Sequence, residues 1–489
     1  MSKCSIIGGS YLGRSVAVDS QECVNLYPEI SPSAEAKNVA SLVGTPGMKY
    51  LATIGTIGGN RGYYVTARNR LMAVVGNKLI EIDSNYAQTV RGTLQTSVGR
   101  VSFAEVDKQV DPASAAESDI VLVDGVKGYR FNTLSNDFAV ISGDYMPGTS
   151  ITSQNGFFIQ NTNDNNKFIY SNQYDGATWE ASINFFAAES SPDPILYLTL
   201  INNQLWLMGS NSIEIWNFTG DANQLWQRSG IGYISTGVAS RTAAASIMGN
   251  IFWIGSNSEG SNTVWQSGPS YTPKRVSNHA IEYVIGQMGD ISDVVAMAYQ
   301  QEGHQFIIFN FPSGNRTLVY DMSTELWHDR GSFDPITGEN FHHLVMHVSY
   351  WNGKVLVGND SNNYLYQWDL DTYTDDGVTI KRVRTAPHIH NERHRIAFNQ
   401  LEVDMEKGVG LNDGQGEDPK VMLEYSNDGG FSYSPNKIWS SAGKIGARLV
   451  RVRWNKLGMS RDRVFRLTIT DAIKCIILDA RLDAKAERV

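Results

Sequence analysis

Cysteine is scarce: Cys4, Cys23 and Cys475 are the only three in 489 residues. So few, and an odd number, argue against a disulfide framework and for reduced thiols in a chain folded in a cytosol. The opening stretch MSKCSIIGGSYLGRS holds no apolar core long enough for a secretory signal, and no run of 18 apolar residues occurs. No membrane domain is therefore expected. No GxSxG, P-loop or HExxH motif is present, so the common nucleophile-elbow, phosphate-cradle and zinc-protease chemistries have no carrier. An excess of positive charge is missing too. The formal net charge is −9, which argues against a surface that grips nucleic acid throughout. Helical periodicity is rare, and only SNHAIEYVIGQMG (277–289) carries it, with Ser and Asn as cap candidates.

What the chain does contain is a recurring hairpin pattern. Its clearest copy is NNQLWLMGSNSIEIWN (202–217), two alternating apolar runs around a Gly-Ser-Asn turn. Similar copies begin at residues 69, 118, 155, 249, 303 and 352. A period of roughly 40–50 residues leaves room for four strands per unit, the requirement of a β-propeller blade. One hairpin is marginal in water, whereas a closed ring of blades buries every face. The expected fold is all-β: a propeller of six or seven blades over 49–370, then a smaller C-terminal β-sandwich or jelly roll over 396–489. Eleven Trp and 22 Tyr suit such broad sheet packing. Residues 1–48, interrupted by Pro28, Pro32 and Pro46, read as an extended arm that packs on another element or closes the ring with the last blade. Residues 371–395, first acidic and then basic, read as a linker.

Few residues offer chemistry. The turn from Ser426 to Tyr433 (SNDGGFSY) is similar to the Asp-box of sialidase propellers, a turn device whose Asp accepts backbone N–H bonds. Histidines cluster at His342, His343 and His347 and at His388, His390 and His394, without the companion ligands a metal site needs. Asp321, Glu325, Asp329 and Asp334 lie in loops, and their spacing does not show a glycosidase pair. No catalytic residue, cofactor or metal is expected. The stronger signal is basic: from Lys437 to Arg466 there are nine Lys/Arg and one acid, Asp462. Strand alternation puts Arg451 and Arg453 opposite Val450, Val452 and Trp454. Arg451, Arg453, Arg461, Arg463 and Arg466 are therefore expected on a positive face that contacts phosphates or an acidic partner surface, such as a neighbouring subunit.

Several pieces in order, VNLYPE (24–29), GTPGM (44–48), SIEIWN (212–217), RTLVYDMSTELWHDR (316–330), LEYSNDGGFSYS (423–434) and RVRWNKLGMSRDRVFRLTITD (451–471), resemble the packaged-DNA stabilisation proteins of short-tailed double-stranded-DNA phages, also called tail hub or nozzle proteins. The resemblance runs nearly end to end. It implies a structural, non-enzymatic virion tail protein, assembled in the host bacterial cytoplasm. It further implies a homohexameric ring below the portal and its adaptor ring. A tail needle or distal tip would plug the ring, tailspikes or fibres would attach nearby, and DNA would pass through the lumen without sequence-specific binding. The alternatives are a sialidase-like glycan-processing propeller and a glycan-binding propeller of a tail appendage.

Overall fold

The structure is a computed structural model that describes residues 2–486 apart from 34, 56, 109–115, 192, 258–259 and 269–270. Seven antiparallel units, most of them four-stranded, follow one another along the chain. They span 60–93, 102–140, 151–187, 195–234, 237–275, 295–330 and 347–369. We number them blades 1 to 7. The seven hairpin copies of the sequence are the second and third strands of the seven blades, for example Gln204–Gly209 and Ile213–Asp221 in blade 4. The residues just before many of them form tight turns with both central φ values positive, as in Asn155-Gly156, Asn202-Asn203 and Asn352-Gly353. Asn and Gly tolerate that geometry, which matches the twist of the flanking strands.

Alternation within a blade serves two neighbours rather than core and solvent. In blade 4, Leu205 and Leu207 pack into the core shared with blade 3, while Trp206 and Met208 pack into the core shared with blade 5. In blade 1, Met72 and Val74 face blade 2, and Leu71, Ala73 and Val75 face blade 7. The interface between blades 7 and 1 means that the row of blades returns on itself. A closed ring removes long free edges and makes each blade's burial depend on both neighbours.

The last blade takes its fourth strand from the other end of the repeat. Gly47–Thr53 pairs antiparallel with Tyr364–Asp369 and completes blade 7. The ring is thus closed by a strand that begins at the end of the N-terminal stretch. Much of the rest joins the C-terminal domain. Ala40–Gly44 and Ser2–Cys4 both pair with Ile476–Ala486, and Leu26–Ile30 extends the same sheet. Facing it is a second sheet that runs from Cys23–Val24 through Arg382–Thr385, Asp462–Ile469 and Lys420–Ser426 to Ile438–Ser441. The two sheets enclose one core that includes Leu26, Leu401, Val452, Trp454, Phe465 and all three cysteines. The cysteines are free and buried, and burial pushes the Cys4 and Cys23 thiols up to about 11 and about 12.

The structure thus departs from the expected division at both ends of the propeller. The arm supplies strands to two domains, and the linker is built in. Arg382 and Arg384 are 1% exposed, and Arg384 donates to the Ile6 and Gly9 carbonyls and to the Gln21 amide oxygen. Pairing partners hundreds of residues away cannot be read from local composition, which is why this stretch looked like a connector. The helix over His279–Gln287 lies between blades 5 and 6, with the Asn278 side chain accepting from Ile281 N. Among the described residues no helix is long and apolar enough to cross a membrane.

Candidate functional site

The place where propeller and sandwich meet concentrates polar contacts. The outer strand of blade 6, Leu326–Arg330, pairs in parallel with Cys23–Val24 at Asp329 and Val24. Val24 in turn pairs with Val383 of the sandwich. One sheet of ten strands therefore runs from the propeller into the second domain. Asn25, 1% exposed, staples this seam. Its amide nitrogen donates to the Gly331 carbonyl (2.8 Å) and the Lys381 carbonyl (2.9 Å), and its oxygen accepts from Gly331 N (3.0 Å). Its φ of 55° is a left-handed conformation that Asn tolerates better than most residues. Its neighbours divide between the domains: Leu26 enters the sandwich core and Tyr27 the core between blades 6 and 7. The VNLYPE motif is the staple of the two-domain body. Sequence reasoning missed this role, although a Pro-rich stretch with Asn before two large apolar residues was the available signal.

Beside the seam lies a cleft of about 390 Å³. Opposite charges line it in pairs: Arg316 with Asp329 (2.7 Å), Arg466 with Glu22 (2.8 Å), Lys437 with Glu424 (3.8 Å) and Lys381 with Glu339 (3.9 Å). Asp329 also accepts from Ser10 Oγ at 2.7 Å. These charges answer one another, and of the four pairs Lys381 with Glu339 crosses from sandwich to propeller.

The five singled-out arginines separate into two groups. Arg451, Arg453 and Arg461 are exposed, and Val452 and Trp454 are buried beneath them, as alternation required. Arg451 Nε donates to Glu402 at 2.9 Å. Arg463 is not on the surface. It is 1% exposed, with Cζ 4.3 Å from the Tyr425 ring centroid and 4.4 Å from that of Phe398. It donates to Asn427 Oδ1 (2.7 Å) and the Leu457 carbonyl (2.9 Å), and burial pushes its guanidinium down to about 10. Arg466 is half-buried, paired with Glu22 and stacked on Tyr433 at 3.6 Å. Both sit on a strand buried on both faces: Arg463 shares the core face with Phe465 and Leu467, and Arg466, on the opposite face, is covered by the arm through Glu22.

The other candidates have structural employment. Asp321 is buried against His304 Nδ1 (2.8 Å) and accepts from Ser323 N. That hydrogen bond raises His304 above the ordinary range. Asp334 accepts from Ile336 N, and Glu325 pairs with Lys274. In the turn from Ser426, Asp428 accepts from Ser432 N at 2.9 Å, and bonds from Ser426 and Ser432 hold its carboxyl at about 2. Gly429 and Gly430 take φ of 77° and 91° there. His388 bonds to Asp462 and Val16, and His347 to the Asn60 carbonyl. His390 and His394 are exposed. Among the described residues no three His, Cys, Asp or Glu are grouped to hold a metal ion.

Fold and site together define a class: a two-domain scaffold, propeller fused to sandwich through a shared sheet, whose polar groups tie structure together. Family models identify it further. The bacteriophage P22 Gp10 β-propeller model matches residues 4–373, and the bacteriophage P22 Gp10 β-sandwich model matches residues 381–485. The chain belongs to the P22 Gp10 family of phage tail structural proteins that stabilise packaged DNA. No curated protein sequence matches it significantly. Solved structures similar to it include virginiamycin B lyase from Staphylococcus aureus, at 12% identity and TM-score 0.44, covering 66% of this chain and 99% of that one. Another is the extracellular domain of the putative hybrid two-component system BT4673 from B. thetaiotaomicron, at 9% identity and TM-score 0.44, covering 66% of this chain and 40% of that one.

Proposed function

We propose that copies of this chain form a closed ring, a homohexamer, that docks on the adaptor ring below the portal and extends the DNA channel. It retains packaged DNA by being a stiff wall that seats a plug, and it becomes the conduit at ejection. The observation that carries this reading is the family match across both domains in order. The single sheet joining them supports it, since a hinge there would let the wall yield under pressure from packaged DNA. A net charge of −9 suits a lumen along which phosphates slide without being held.

A closed ring needs two different complementary patches per subunit. One candidate is the side of the sandwich where the edge strands of its two sheets meet. Trp454 Nε1 of one edge donates to the Ile438 carbonyl of the other (3.1 Å), and Arg453 N donates to Ser440 Oγ (3.0 Å). Arg451 and Arg453 lie here beside Trp439, which is 61% exposed. Arg and Trp together are typical of interface anchors. An acidic face of the next copy or of the adaptor ring is the counter-surface. Tail needle, tip and tailspike contacts would lie distal to it, and assembly would take place in the host bacterial cytoplasm. Imaging purified protein mixed with portal–adaptor complex should show a closed ring of copies at the adaptor's distal end. Monomers that leave the adaptor bare would end this reading.

A further inference from the structure

Between blades 6 and 7 a guanidinium is buried without a full set of acceptors. Arg330 is 3% exposed, and its Cζ lies 4.8 Å from the Phe306 ring centroid, 5.3 Å from Tyr299 and 5.4 Å from Trp368. The rings cover its faces, and of their polar atoms the Tyr299 hydroxyl lies near enough to act on the guanidinium. Nε reaches His328 Nε2 at 3.4 Å, while Nη1 and Nη2 have no hydrogen-bond partner among the described residues. Two further donors beside it are equally unmatched, Trp368 Nε1–H and the Tyr299 hydroxyl, on rings 4.5 Å apart. A second guanidinium, that of Arg382, is 1% exposed, and all three of its nitrogens lack partners among the described residues. Both arginines act electrostatically on a single buried carboxyl, Asp375, which already accepts from Met48 N and lies 3.8 Å from His343 Nε2. Donors and positive charge thus exceed acceptors and negative charge. Water can satisfy donors, but only an anion also neutralises, and a buried charge is costly until it is paired.

We infer that Arg330 holds a small inorganic anion of halide size, bound by its Nη groups together with Trp368 Nε1–H and the Tyr299 hydroxyl. Tyr299 and Trp368 also line an open cavity of about 720 Å³ at blades 5 to 7, and Arg330 lines the cleft beside the seam. Trp368 pairs with Met48 of the ring-closing strand. The anion would therefore tie blade 6 to the seam where blade 7 is completed. Protein crystallised in sodium bromide tests this through anomalous diffraction. The expected result is a bromide peak within hydrogen-bonding distance of Arg330 Nη and Trp368 Nε1. Water alone at that position, with bromide only on the surface, overturns the inference. In solution, exchanging gluconate for bromide at constant ionic strength should raise the melting temperature saturably, and Arg330→Met should abolish that dependence. An unchanged dependence in that variant overturns the inference as well. If the variant does not fold, the diffraction measurement on the unaltered chain still decides.

Discussion

Asn25→Ala is the change that most sharply tests how the two domains are joined. It removes two bonds donated to the Gly331 and Lys381 carbonyls and one accepted from Gly331 N. Each is worth about 1 kcal/mol net, and an orphaned buried N–H raises the last of them further. A Cβ-bearing residue other than Asn at φ 55° adds about 1 kcal/mol of backbone strain. The expected loss is about 4 kcal/mol. If it falls on a cooperative unit of 150–250 residues, the melting temperature drops by roughly 8–16 °C. Asn25→Gly relieves the strain but not the lost bonds, so it should recover only the smaller part. Differential scanning calorimetry reads both effects: a lowered transition, and its separation into two as propeller and sandwich uncouple. A variant that melts within a degree or two of the unaltered protein, in one transition, would refute the seam as the coupling element.

Arg463→Ala should cost about 3 kcal/mol, because it strips two charge-assisted bonds and the packing on Phe398 and Tyr425 from a buried site. Urea unfolding checks it, and an unshifted midpoint would mean that the side chain is expendable. Arg451→Glu with Arg453→Glu should leave that midpoint within about 1 kcal/mol, since exposed pairs contribute little. Sedimentation with the adaptor ring should nonetheless show weakened ring assembly or docking, and unchanged assembly would remove these residues from the interface. Trp226→Ala, at a site with no solvent exposure between blades 3 and 4 and with Nε1 bonded to Gln154, should cost about 3–5 kcal/mol in the same urea assay. Stability should also fall on acidification. Burial, then the charge of Arg330, pushes His343 down to about 3, and burial holds His328 and His347 well below the ordinary range. Below about pH 6.5 the unfolded chain binds protons that the folded chain refuses, so each histidine removes up to about 1.4 kcal/mol per pH unit. Asp375 works the other way. Burial raises it to about 7, so the folded chain keeps a proton that the unfolded chain releases, and stability falls as pH climbs from about 4 to 7. His343→Asn and Asp375→Asn should flatten opposing slopes in pH-dependent melting curves.

The repeat was legible because each blade's central hairpin carries its own turn chemistry and apolar runs, all of them local signals. The same locality hid the junction. Val24 meets Asp329 and Val383, and Asn25 bonds to Gly331 and Lys381, partners that no periodicity connects. Alternation placed Arg451 and Arg453 correctly outside, where one sheet face meets solvent. It misled for Arg466, where the face opposite the core is covered too, while the same period places Arg463 on the core face beside Phe465 and Leu467. A period of two says which residues share a face but not what lies against it.

The central claim, a passive wall that keeps packaged DNA in place, is tested most directly by nuclease protection. Heads filled with DNA and carrying portal and adaptor would be incubated with and without this chain, alone and with its plug, and the nuclease-resistant DNA measured. The account predicts that DNA leaks from heads lacking the chain and is retained once the chain and plug are added. Equal leakage in both would contradict it.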